Sequence, residues 1–131
     1  MWVLDTNTLI YFFKDEGHIS ETLFQHSPQE IAIPAIVLYE LQVGIAKSSS
    51  PKKRVGQLAQ LTSVVRVLPF QQQEADAAAA IRARLEKQGK PIGPYDVLIA
   101  GTALAVGASL VSRNLKEFRR IRGLRVENWY R

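Results

Sequence analysis

Three carboxylates in this sequence stand in apolar surroundings where surface acids are not usually found. They are Asp5, Glu40 and Asp96, and each adjoins a run of apolar residues. A buried carboxylate is costly unless a cation or hydrogen-bond donors compensate it. Acids brought together also repel one another, so at neutral pH they need a proton or a metal ion. An all-oxygen site with open positions suits Mg²⁺ or Mn²⁺ and can assist the attack of water on a phosphodiester.

The elements that position these acids follow from the alternation of strand and helix patterns. This alternation predicts an α/β fold of three layers (α/β/α) around a short, mainly parallel sheet, in a single domain over residues 1–131. The predicted strands are Trp2–Asp5, Ile31–Ile33, Val64–Leu68, Ser109–Ser112 and Leu124–Val126. The predicted helices are Thr6–Phe13, Ser20–His26 with Ser20 as its N-cap, Ala35–Ala46, Lys52–Thr62, Glu74–Gln88, Tyr95–Val106 with Gly107 as its C-cap, and Leu115–Arg120.

The predicted sheet brings the acids to one edge. In open α/β sheets, ligands bind beyond the carboxyl ends of the strands, which is where Asp5 falls, and helix starts such as that of Asp96 open onto the same edge. Each acid also has a purely structural interpretation. Asp5 and Asp96 could be helix N-caps, and Glu40 could be an exposed position on its helix. The shared location favours a common site over three separate structural roles.

Cysteine and histidine content excludes several classes of chemistry. The chain has no cysteine, so disulfides, thiolate metal sites and cysteine nucleophiles are ruled out. Its two histidines, His18 and His26, lie in polar contexts, are expected on the surface, and complete no catalytic triad. We find no signal peptide and no apolar run long enough to span a bilayer, so the expected location is the cytoplasm, without membrane attachment.

The net charge of +5 is concentrated at the end of the chain. Residues 112–131 carry seven basic side chains against two acidic ones, which accounts for the whole net charge. A second stretch, residues 41–73, contains basic residues and no acid. Clustered basic charge fits a polyanionic partner, either a nucleic acid or an acidic peptide, and equally fits a solvated surface. Arg113 and Lys116 flank the predicted site and are the candidate residues for binding a nucleic acid such as RNA.

Four blocks of sequence, in order and spanning nearly the whole chain, resemble the VapC toxins, which are PIN-domain ribonucleases. The first block alone would be a weak signal, whereas four blocks in register are a specific one. The matching residues are Leu4–Asn7, Leu38–Leu41 with Gly44, Gly93–Asp96 with Ile99–Ala100, and Leu110–Asn114 followed by Glu117–Phe118, Gly123–Leu124 and Val126–Trp129.

The resemblance implies roles for particular residues. Asp5 and Asp96 would hold Mg²⁺ or Mn²⁺, and Glu40 would complete the acidic cluster. The hydroxyl groups of Thr6 and Ser112 would support the acids or the metal waters. Family members often have a fourth acid near the end of the last main strand. Here that position is Asn114, and Glu117 lies one helical turn later, so the resemblance leaves open which of these two residues is the fourth member of the site.

The resemblance also implies a function and partners. It indicates a metal-dependent endoribonuclease that is the toxin of a type II toxin–antitoxin pair, with RNA as its substrate, a cognate antitoxin protein as its partner, and a homodimeric assembly. Two alternatives stay open: an RNA-processing PIN nuclease without an antitoxin, and an inactive PIN module that binds RNA or protein. A haloacid dehalogenase-type phosphatase is disfavoured, because the second aspartate of that motif is replaced by Asn7.

Overall fold

Five parallel strands form the sheet at the centre of the structure, a computed structural model that describes residues 1–131. Their spatial order is β3-β2-β1-β4-β5, and every neighbouring pair is parallel. The first strand is therefore the middle one, so the residue that follows it lies at the centre of the carboxyl edge. The strands are β1 (Trp2–Leu4), β2 (Ile31–Pro34), β3 (Arg66–Leu68), β4 (Ser109–Val111) and β5 (Val126–Glu127).

Seven helices cover this sheet. Val3 and Leu4 of β1 are both fully buried, and successive strand residues point to opposite faces. Both faces of the central strand are therefore covered by helices, as the predicted three-layer α/β/α fold requires. The helices are α1 (Thr6–Phe13), α2 (Ile19–Leu23), α3 (Ala35–Lys47), α4 (Lys52–Thr62), α5 (Gln72–Lys87), α6 (Pro94–Ala105) and α7 (Leu115–Phe118).

Several predicted helix boundaries were wrong by a few residues. The helix predicted over Ser20–His26 runs from Ile19 to Leu23, and its N-cap is His18, in the left-handed region at φ 57°, rather than Ser20. The chain then forms a 3₁₀ turn over Pro28–Glu30. The C-cap of α6 is Val106, and Gly107 follows it with φ 68°, so the predicted glycine lies one position later.

Two predicted strands are displaced for a hydrogen-bonding reason. The N–H groups of Val64 and Val65 both donate to the carbonyl of Leu61, which keeps them at the end of α4 and delays β3 until Arg66. The N–H of Leu124 donates to the carbonyl of Ile121, so β5 begins only at Val126.

The predicted surface position of His26 was also wrong. Its ring stacks on Trp129 with centroids 5.2 Å apart and an interplanar angle of 6°, and it lies 5.2 Å from the ring of Trp2. The histidine therefore belongs to an aromatic cluster at the start of β1, while His18 remains exposed. No helix in the structure is both long and apolar enough to cross a bilayer.

A close contact between α5 and α6 fixes the helix that carries Asp96. Gly101 of α6 is buried, and a Cβ atom added to it would lie 2.7 Å from the Cβ of Ala78 and 2.8 Å from that residue's Cα and N. The glycine is therefore required by the approach of the two helix backbones. Gly56 of α4 offers a contrast, because a Cβ there would meet nothing within 4 Å.

Replacing Gly101 with alanine should destabilise the chain. Overpacking of a close contact typically costs about 1–3 kcal/mol, which outweighs the gain of up to about 1 kcal/mol from replacing a helical glycine. The matched Gly56→Ala variant should show only that gain. Urea unfolding curves of both variants give the comparison, and a Gly101→Ala midpoint at or above that of Gly56→Ala would contradict the proposed contact.

Candidate functional site

Asp5 occupies the central position of the carboxyl edge. It follows β1 directly, its N–H donates to the carbonyl of Val111 at 3.1 Å, and its side chain is the N-cap of α1. Its Oδ1 accepts the N–H of Thr8 at 2.9 Å. Only 6% of the residue is exposed. Asp5 is therefore an N-cap, as the structural interpretation predicted, and at the same time a buried acid at the ligand-binding edge of the sheet.

Burial raises the pKa of the Asp5 carboxyl above its usual range. The hydroxyl groups of Ser112 and Thr8 and the backbone N–H of Thr8 lower the pKa, but by less than burial raises it. Ser112 is itself 1% exposed, and its Oγ accepts the N–H of Asn114 at 3.0 Å. The support for Asp5 that was predicted from Ser112 would come from a hydrogen bond of the Ser112 hydroxyl to the Asp5 carboxylate. Sequence reasoning missed the role of Thr8, which its spacing after an N-cap aspartate could have indicated.

Glu40 is a half-buried residue of α3 and is tied to the start of α1. The Thr6 hydroxyl donates to its Oε1 at 2.7 Å. Tyr39 before it is 49% exposed and Leu41 after it is 6% exposed, so Glu40 lies at the margin between solvent and core. The interpretation of Glu40 as a fully exposed helix position is therefore wrong, and the hydrogen bond fixes one of its two carboxylate oxygens.

Asp96 lies in the first turn of α6 rather than at its N-cap, which is Gly93. A Cβ atom on Gly93 would lie 3.3 Å from the Asp96 Oδ2, so this glycine leaves room for the carboxylate. Burial first, and then the negative charges of Asp5, Glu117 and Glu40, raise the pKa of Asp96 to about 6. The pKa of Asp96 therefore depends on the charges of all three other acids of the site.

Asn114 and Glu117, the two candidates for the fourth site residue, differ in their surroundings. The charge of Glu117 acts on Asp96, whereas the Asn114 amide Nδ2 donates to the Glu117 Oε2 at 2.9 Å. Asn114 is exposed and Glu117 is half-buried. This geometry favours Glu117 as the fourth acid and Asn114 as the residue that orients it.

No basic side chain neutralises these four acids. The ion pairs of the structure are His18–Glu21, His26–Glu30, Arg82–Glu86 and Arg131–Glu21, none of which includes a member of the site. No three acidic or histidine side chains lie close enough together to hold a metal ion. Mg²⁺ does not need three, because it binds through one or two carboxylates and keeps waters or phosphate oxygens as its other ligands. The chemistry of the donor set therefore fits a hard divalent cation.

The two predicted RNA-binding residues differ in their surroundings. The Arg113 guanidinium lies 3.8 Å from the ring centroid of Tyr130 and 5.6 Å from that of Tyr11, a cation–π arrangement. Lys116 is exposed on α7, one residue before Glu117. Arg113 is thus held by two aromatic rings, whereas Lys116 forms no ion pair within the chain.

Known proteins are similar to this chain in fold and in sequence over almost its whole length. The PIN domain family model matches residues 2–124, a range that includes all four acids. The tRNA(fMet)-specific endonuclease VapC of Salmonella typhimurium is 38% identical over 128 residues, which are 98% of this chain and 97% of that protein. The solved DNA-bound VapBC from Salmonella typhimurium has 39% identity and a TM-score of 0.91, covering 98% and 97% of the two chains. VapBC2 from Rickettsia felis, bound to a DNA fragment from its promoter, has 34% identity and a TM-score of 0.89, covering 98% of each chain.

The raised pKa of Asp96 predicts how the metal-free chain responds to pH. Its pKa is about 6 when folded and about 4 in an unfolded chain. Between these values the folded chain binds more protons, so its free energy of unfolding falls as the pH rises through this window. In chelator at pH 7.5, Asp96→Asn should therefore melt a few degrees above the natural chain, and the difference should disappear near pH 4. The control is Asp76→Asn, a change at an exposed acid of α5. A melting difference for Asp96→Asn that is independent of pH would refute the argument.

Proposed function

This chain belongs to the PIN domain family, among the VapC ribonucleases, and from that premise we propose that it is a divalent-metal-dependent endoribonuclease acting as the toxin of a toxin–antitoxin pair. The observation that carries the proposal is Asp96, a half-buried acid beside three other carboxylates with no basic side chain to neutralise them. Such an arrangement is unfavourable in the free chain and is relieved by a divalent cation. An inactive binding module would have no use for it.

Asp5 and Asp96 would hold the cation, which we propose is Mg²⁺ or Mn²⁺, and Glu40 and Glu117 would complete the acidic site. The bound cation would neutralise the acids and stabilise negative charge on the phosphodiester during attack. Glu40 has one oxygen fixed by Thr6, which leaves its Oε2 to orient the attacking water and accept its proton. Ser112 supports Asp5, and Asn114 orients Glu117.

We propose a structured RNA as the substrate, and tRNA(fMet) is the first one to test, because a relative that is 38% identical is a tRNA(fMet)-specific endonuclease. The basic residues near the site fit this polyanion. Arg113 and Lys116 would contact its phosphates.

The proposed protein partner is a cognate antitoxin. Solved relatives with 34–39% identity are VapBC complexes, which supports this proposal over an RNA-processing nuclease that acts without an antitoxin. An arginine or lysine of the antitoxin placed near Asp5, Glu40 and Asp96 would pair with carboxylates that have no basic partner in this chain. A homodimer stays a prediction, as does the single-domain organisation.

Removing either metal-holding acid should abolish RNA cleavage. Asp5→Asn and Asp96→Asn should each lower kcat by roughly 10²- to 10³-fold or more. The fold should be retained in Asp5→Asn, because asparagine is as good an N-cap as aspartate. Cleavage of labelled tRNA(fMet) transcript with Mn²⁺ measures the loss, with Asp76→Asn as the charge-matched control. Undiminished cleavage by the natural chain in excess chelator would contradict the metal requirement.

Replacing Glu117 should lower kcat more than replacing Asn114, the residue that orients it. Glu117→Gln keeps the shape and loses the charge, so kcat should fall by roughly 10²-fold. Asn114→Ala loses only the orienting hydrogen bond and should cost about tenfold. Single-turnover cleavage rates give both values. The reverse order, with Glu117→Gln silent and Asn114→Ala severe, would assign the fourth position to Asn114.

Expression of the active chain alone should arrest bacterial growth. Co-expression of the cognate antitoxin should restore growth, and the Asp96→Asn variant should be harmless without it, because toxicity requires cleavage. Growth curves after induction provide the measurement. Normal growth with the natural chain, when the purified protein cleaves RNA, would favour the processing-nuclease alternative.

A further inference from the structure

A groove between α1 and α3 leads away from Glu40 and has no role in the site described above. Its volume is about 290 Å³. We name it the α1–α3 groove. The residues that define it are Ile10, Lys14, Glu40, Gly44, Ser48 and Arg54.

The helical spacing of these residues shows the direction of the groove. On α3, Glu40, Gly44 and the C-cap residue Ser48 follow one another at intervals of four, so they lie on one face. On α1, Ile10 and its C-cap Lys14 continue the same interval from Thr6, which hydrogen-bonds Glu40. The groove therefore begins at the acidic site and runs along about two helical turns, or about 12 Å.

Gly44 keeps the floor of this groove open. It lies inside α3, and a Cβ added to it would meet nothing within 4 Å, so no contact within the chain requires glycine there. A glycine inside a helix costs about 0.5–1 kcal/mol relative to alanine. Gly56 on α4 is equally unconstrained but lines no part of the groove. An unconstrained glycine therefore does not by itself indicate a binding surface. What distinguishes Gly44 is its place four residues beyond Glu40.

Two cations stand at the far end of the groove without acidic partners. The Arg54 Nη1 donates to the carbonyl of Phe13 at 2.9 Å, and the Gln57 amide Nε2 donates to the same oxygen at 3.2 Å. Arg54 is thereby held in place, and its Nε and Nη2 make no hydrogen bond within the chain. Lys14 is exposed and takes part in no ion pair. Fixed positive charge of this kind suits a phosphate group.

The floor between the acids and the cations is apolar. Leu41 is 6% exposed and Phe13 is 8% exposed, and the half-buried Ile10 and Ile45 complete the surface. The basic end offers charge to a phosphate and the apolar floor offers surface to a base, which are the two components of a single-stranded nucleic acid. A strand with its scissile phosphate at the acids must continue along the surface, and this groove is continuous with Glu40.

We propose that the α1–α3 groove binds the RNA strand adjoining the scissile phosphate, with a base on the apolar floor and a neighbouring phosphate at Lys14 and Arg54. This inference rests on the proposed endoribonuclease function. An acidic peptide of a partner protein would be a different occupant, and the experiment below separates the two.

Gly44→Leu fills the groove and is compared with Gly56→Leu, which places the same side chain on an exposed helix outside it. With tRNA(fMet) transcript and Mn²⁺, Gly44→Leu should raise KM roughly tenfold through loss of a base contact. Its kcat and melting temperature should match those of Gly56→Leu. In the inactive Asp96→Asn background, adding Lys14→Ala should flatten the log–log salt dependence of RNA affinity, measured by fluorescence anisotropy, by about 0.7 for one lost phosphate contact.

Each outcome decides between the two proposals. If the natural chain fails to cleave RNA with Mn²⁺, the proposed function itself is wrong. If the natural chain cleaves but Gly44→Leu has the KM of Gly56→Leu, the groove does not bind RNA. Loss of antitoxin binding in Gly44→Leu with unchanged KM would make the groove a protein-binding surface and overturn the RNA assignment. Should Gly44→Leu fold poorly, the Lys14→Ala salt slope decides alone, and an unchanged slope rejects the phosphate contact.

Discussion

Burial of carboxylates at the carboxyl edge of the sheet, to which neighbouring acids add their charge at Asp96, is the constraint on which this site depends. Asp5 is almost fully buried, and Asp96 carries a pKa of about 6 because burial and the charges of three other acids disfavour its ionised form. The hydrogen bonds from Thr8 and the nearby Ser112 hydroxyl reduce this penalty at Asp5 without removing it. A divalent cation bound at these acids would offset this cost, and so would a basic group of an inhibitor.

The register of the strands brings Asp5 and Ser112 together. In the pairing of β1 with β4, Leu4 lies opposite Val111. The residues that follow these two strands, Asp5 and Ser112, therefore leave the sheet side by side. The α1 helix starts at that point and carries Thr6 to Glu40. Asp96 lies on α6, and the position of this helix depends on the close approach of Gly101 to Ala78. A helix contact five residues beyond Asp96 thus helps to determine the position of this acid.

Much of this arrangement could be predicted from local patterns. The five strands, the seven helices and the three acids follow from runs of apolar residues, breakers and the placement of charge at element ends. Contacts between distant residues could not be predicted. The stacking of Arg113 on Tyr130 and Tyr11 depends on how the tail folds back. The local hydrogen bond from Asn114 to Glu117 depends on side-chain rotamers, which the residue types alone do not determine. The N-cap of α2 was missed because N-caps are usually extended residues whose side-chain oxygen accepts a backbone N–H, whereas His18 lies in the left-handed region and makes no side-chain cap hydrogen bond.

Proton release on metal binding tests the central claim most directly. Ligand carboxylates must lose their protons when a cation binds, and an acid with a pKa of about 6 is half protonated at pH 6. Calorimetric titration of Mn²⁺ in buffers of different ionisation enthalpy, at pH 6 and pH 8, measures the number of protons released. We expect roughly half a proton or more to be released at pH 6, little at pH 8, and a smaller release at pH 6 from Asp96→Asn. Equal release from the natural chain and Asp96→Asn at pH 6, or Mn²⁺ binding without any release, would contradict this claim.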